Sequence, residues 1–114
     1  MRVWFRPHIA GEHWTVYLVS KNSRHLVDDD KDRGPCSGVC SYDKCKIYIN
    51  QDLDSEARVH ATLHELVHAL MHVSGADKVY EGDAKKDEDL VTMFTPALHR
   101  LLKDLGFHFP GLCT

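Results

Sequence analysis

Apolar and polar positions follow one rhythm in the first half of the chain and another in the second. Near the N-terminus, positions 2–6 (RVWFR) and 13–20 (HWTVYLVS) are rich in Val, Trp, Phe, Tyr and Thr, with Pro7 and Gly11 between them. β-Branched and aromatic runs separated by turn formers predict a strand, a turn and a second strand. From Lys21 to Cys40 the chain is polar and carries the block Asp28-Asp29-Asp30-Lys31-Asp32-Arg33 ahead of Gly34-Pro35, which predicts a solvated loop. Lys44 to Asn50 alternates Ile47 and Ile49 with Lys46 and Tyr48, predicting a third strand with two unlike faces.

Beyond Asn50 the period lengthens to that of a helix. Asp52 or Asp54 is a candidate N-cap, Glu56 suits the positive end of the dipole, and Gly75 is a natural stop, so a helix is predicted to run to about Ser74. After the polar stretch from Ala76 to Lys86, Asp87-Glu88-Asp89 leads into Leu90, Val91, Phe94, Leu98, Leu101, Leu102 and Leu105, a second amphipathic helix ended by Gly106. Pro96 lies inside it and is expected to kink or weaken it. With no internal repeat and no second domain, residues 1–114 read as a single α+β unit. A small sheet of about three strands packs on one helix and on a second, C-terminal one.

Composition narrows the function. At 43% hydrophobic and 27% charged, the 114 residues suit one ordinary globular domain. Fourteen Lys and Arg against seventeen Asp and Glu give a net charge of −3, which argues against a broad cationic face, so no nucleic-acid partner is expected. No apolar run approaches the roughly eighteen residues of a membrane span, and the opening MRVWFRPHIAGEHW lacks a signal-type apolar core. A cytoplasmic protein is therefore expected, with its four cysteines as thiols and not a disulfide framework. The nine histidines remain to be explained.

Two of them stand in His64-Glu65-Leu66-Val67-His68, an H-E-x-x-H segment inside the first predicted helix. Residues at i and i+4 share a helix face, so both imidazoles can hold one metal ion while the intervening carboxylate reaches the same cleft as a general base. Neutral imidazole suits Zn²⁺, which acidifies a water that a carboxylate can deprotonate. With His64 at 0° and 100° per residue, His68 falls at about 40°, whereas Val59, Leu63, Leu66, Leu70 and Val73 fall between about 180° and 260°. The histidines and the apolar stripe are thus predicted on opposite faces. Ala57 and Ala61 lie on the histidine side, where small side chains leave room for an ion and a substrate.

A catalytic zinc ordinarily keeps three protein ligands. His72 shares the face but stands two turns from His64, about 12 Å along the axis, too far to converge on one ion, so it is expected to flank the cleft. The acidic opening of the second helix offers Asp87, Glu88 and Asp89. Wheel position slightly favours Asp87, whereas reach and ligand type favour Glu88.

HATLHELVHALMH, preceded by CKIYIN and followed by DEDLVTMFTPALHRLLKDLGF, resembles the small zincin-type metallopeptidases of bacteria and phages. The ImmA/IrrE-like and SprT-like proteins and the minimal single-domain gluzincins are the relatives in question, and the likeness runs from about Lys44 to Gly106. The metzincin continuation, a His and a Gly soon after the motif, is missing. The resemblance implies one catalytic Zn²⁺ held by His64, His68 and an acidic residue of the next helix, Glu88 with Asp87 as the substitute, and Glu65 as general base. It also implies that the strand before the metal helix, with Ile47, Tyr48 and Ile49, is a sheet edge on which a peptide or protein substrate lies extended. Tyr48 and Tyr80 are the tyrosines considered as oxyanion donors.

Cys36, Cys40 and Cys45 follow a C-x₃-C-x₄-C spacing with Cys113 far away, an irregular match to a structural zinc site. Cys113 in the tail could instead reach the cleft and hold the enzyme latent. His8, His13, His25, His60, His99 and His108 have no partner spacing. The expected activity is zinc-dependent hydrolysis of peptide bonds. A zinc hydrolase of another amide and a non-catalytic binding module of the same fold are the alternatives.

Overall fold

The computed structural model describes residues 1–27, 36–80 and 83–109. Among the described residues six strands precede two helices: β1 (Arg2–Phe5), β2 (His8–Ile9), β3 (Glu12–His13), β4 (Thr15–Val19), β5 (Gly38–Ser41), β6 (Lys46–Asn50), α1 (Ser55–Ser74) and α2 (Ala84–Asp104). The order is that of an α+β protein. β2 and β3 form a separate antiparallel ribbon, and the other four strands make one sheet in the order β1-β4-β6-β5. β4 and β6 run parallel at its centre, with Val16 beside Ile47 and Leu18 beside Ile49, while β1 and β5 flank them antiparallel.

Alternation assigns the faces. Val16, Leu18, Ile47 and Ile49 turn towards α1 and form the core with Trp14, Ala61 and Ala69. Tyr48 and Val19 turn to the opposite face and pack with Leu26. The predicted third strand thus has its two unlike faces, but the sheet has one strand more than expected. The polar stretch from Lys21 to Cys40 ends in β5, which pairs with β6 across a tight turn. The charge block from Asp28 to Arg33 lies outside the described residues.

α1 follows its sequence signals closely. The Asp54 side chain accepts a hydrogen bond from the Ala57 N–H at 2.8 Å, and Gly75 closes the helix in the left-handed conformation at φ 80°. The buried face is wider than the apolar stripe predicts, because α1 lies between the sheet and α2. Glu65 and His68 are both buried, whereas Leu70, counted in the stripe, is half exposed. α2 begins a turn earlier than its acidic cluster suggests, capped by Asp83 on the amides of Lys85 and Lys86, so Asp87 and Glu88 sit inside the helix. It continues through Pro96, which is exposed, so water can satisfy the carbonyl freed one turn earlier. Val91 and Thr95 are its fully buried residues. Among the described residues no helix is long and apolar enough to cross a membrane.

Candidate metal centre

α1 forms the floor of an open cleft of about 610 Å³, with β5 as one wall and the first turns of α2 as the other. Ala57, Ala61, His64, Glu65 and His68 line the floor, so the small residues do leave the space above the histidines that the helical wheel predicts. One ligand atom from each of His64, Glu65 and His68 falls within 4.8 Å of the other two.

The α2 wall completes the set. Glu88 Oε1 lies 3.0 Å from His64 Nε2, and its Oε2 lies 2.8 Å from His68 Nε2, so one carboxylate spans both imidazoles. Asp87 Oδ2 meets the other nitrogen of His68, Nδ1, at 2.9 Å. The two acidic residues that sequence left competing therefore occupy different positions, Glu88 between the imidazoles and Asp87 behind one of them.

The donor set fits a cation. A neutral imidazole has one N–H, yet both ring nitrogens of His68 face carboxylate oxygens. In the tautomer that donates Nδ1–H to Asp87, Nε2 turns a lone pair to Glu88, and a divalent ion held by His64, His68 and Glu88 would relieve that repulsion. Burial lowers the His64 pKa, opposed by Glu88, and so favours the neutral form that a metal requires. Two imidazoles and a carboxylate suit zinc with one position open.

β5 corrects one expectation. Ile47, Tyr48 and Ile49 do not form an edge, because β6 lies between β4 and β5 and all three residues are buried. The edge beside the metal helix is β5, and Gly38, Val39 and Cys40 line the cleft. Sequence reasoning missed it because Gly38-Val39-Cys40-Ser41 was read with the polar stretch before it. The short connection through Asp43 and Lys44 between two strand-like runs was the available hairpin signal.

Gly38 has a steric reason. A Cβ there would lie 2.9 Å from Ile49 Cδ1 and 3.0 Å from Glu65 Cγ, so any larger residue would displace the Ile49 or Glu65 side chain. Tyr48 stacks between Tyr17 and His25 on the far face of the sheet and does not reach the cleft. Tyr42 lines it instead and stacks on the exposed His72 with ring centroids 4.3 Å apart, so His72 stands behind Tyr42 and does not itself line the cleft. The Tyr80 side chain lies outside the described residues.

The cysteines do not assemble a second zinc site among the described residues. Cys36 and Cys40 line the cleft, while Cys45 donates to Glu12 Oε2 at 3.6 Å. Burial, reinforced by Glu65, raises the Cys40 pKa and keeps it a thiol. Cys113 lies outside the described residues. Phe109, the last one described, packs on Trp4 and Phe5.

None of the protein-family models matches the chain, and neither a curated protein nor a solved structure matches it. The class rests on the α+β fold and the side chains in the cleft.

Proposed function

We propose that the chain is a zinc-dependent metallopeptidase of zincin-like architecture that cleaves peptide bonds in a protein or peptide substrate. The observation that carries this reading is the approach of one Glu88 carboxylate to His64 Nε2 and His68 Nε2, with Glu65 beside them. His64, His68 and Glu88 would hold the ion. Bound there, zinc supplies Lewis acidity to a water and to the scissile carbonyl.

The chain's own groups do the rest. Glu65 takes the proton of the attacking water at its carboxylate and passes it to the leaving amine. Asp87 accepts from His68 Nδ1 and fixes the ring's tautomer and direction. Among the described residues β5 is the edge strand beside the cleft, so an extended substrate can add as a strand beside Glu65. Cys40 and Cys45, present as thiols, suit a reducing, cytoplasmic setting.

Metal analysis by mass spectrometry on the wild type, His68→Ala and Glu65→Gln, run beside cleavage of a peptide library, tests the reading. The expected result is one zinc per chain in the wild type and Glu65→Gln, none in His68→Ala, and cleavage by the wild type alone. A wild type without zinc overturns the metalloenzyme. A wild type that holds zinc and cleaves no peptide leaves a binding module or an enzyme for another amide.

A further inference from the structure

The inner face of α2 is settled by burial: Val91 and Thr95 are fully buried, and Leu98 and Leu102 are half-buried on the same side. Turned away from it by about a third of a turn lies a second apolar stripe, Leu90, Phe94, Ala97 and Leu101, at successive spacings of four, three and four residues. Phe94 is 59% exposed and Leu101 55%. Leu105, also exposed, extends the stripe at its C-terminal end. Leu90 is half-buried and Ala97 small, so Phe94, Leu101 and Leu105 are the large side chains in water, at the spacing of a helix that pairs with another helix.

The stripe is symmetric about the middle of the helix. In an antiparallel pairing of two copies, Leu90 faces Leu101 of the second copy and Phe94 faces its Ala97, a large ring against a small side chain. The flanking charges select the same arrangement. Lys86, Asp89, Arg100 and Asp104 are exposed and lie on one side of the stripe. Antiparallel pairing sets Lys86 beside Asp104 of the second copy and, further out, Asp89 beside Arg100, and the two-fold axis repeats each contact. Parallel pairing in register would turn this charged side of each copy away from that of the other, so neither ion pair would form.

We propose that the outer face of α2 is a self-association surface on which two copies of this chain pair antiparallel, with Phe94 and Leu101 as anchors. The proposal does not depend on the metal centre. Analytical ultracentrifugation of the whole chain over a dilution series tests it. The wild type should sediment with the mass of two chains at high concentration. Leu101→Lys, an exposed position outside the core, should sediment as one chain.

Lys86→Asp alone brings like charges together and should raise the dissociation constant about tenfold. Adding Asp104→Lys to it restores opposite charges and should return the constant to the wild-type value. A single-chain mass for the wild type at every concentration overturns the proposal, including the case in which this face serves a different protein. A dimer unmoved by Leu101→Lys, or a double variant no tighter than Lys86→Asp, overturns it as well.

Discussion

On one side of the cleft α2 brings Asp87 and Glu88 onto the nitrogens of His64 and His68, while on the other β5 brings backbone, a glycine and two thiols up to Glu65. The first wall consists of charged oxygens fixed within one helix, a donor type that a cation could use. The second offers an open ladder of hydrogen-bonding groups and no charged side chain from Cys36 to Tyr42, which suits a peptide backbone. Glu65 stands between them on α1. On the proposed function, ion binding and substrate alignment would be separable, because no residue belongs to both walls.

Substitutions can break or sharpen that division. Glu88→Ala removes the carboxylate shared by both imidazoles and should weaken zinc by more than about a hundredfold, beyond the range of an outer partner, and remove peptide hydrolysis with it. A chelator competition assay reads the first effect. Glu65→Gln should retain zinc while kcat falls by about 10²–10⁴-fold, the usual worth of a positioned general base. Gly38→Ala presses a methyl on Ile49 and Glu65, so kcat/KM should drop about tenfold to a hundredfold with zinc content unchanged. Loss of zinc in that variant would mean the two walls are one structure.

Asp87→Ala acts from the metal side and should weaken zinc by about tenfold to a hundredfold, with Asp87→Asn weakening it less, since its amide oxygen still accepts from His68. The smallest effect belongs to Asp54→Ala. Losing the cap on the Ala57 amide should lower stability by about 1 kcal/mol in denaturant unfolding and leave zinc affinity and kcat in place.

The same division marks what the sequence made legible. α1 could be read from cap to stop, since Asp54 and Gly75 act on their own backbone neighbours and the i, i+4 histidines need only a helix to share a face. Asp87 and Glu88 were recognisable as candidates but not distinguishable, because their roles depend on how α2 lies across α1, which no local spacing records. The substrate edge was assigned to Ile47, Tyr48 and Ile49 because their strand directly precedes the metal helix. The pairing of β6 with β4 is a long-range contact that only the whole sheet decides. α2 also runs on through Pro96, since an exposed proline costs one helical hydrogen bond, which water can replace, without ending the helix.

The proposed function has one zinc ion held by His64, His68 and Glu88, with the nearby thiols of Cys36 and Cys40 taking no part. X-ray absorption at the zinc edge of the loaded wild type tests it most directly. The account predicts imidazole scattering from two histidines and oxygen in the remaining positions, with the carboxylate contribution lost in Glu88→Ala. A sulfur shell at about 2.3 Å would contradict it and move the metal onto the β5 wall.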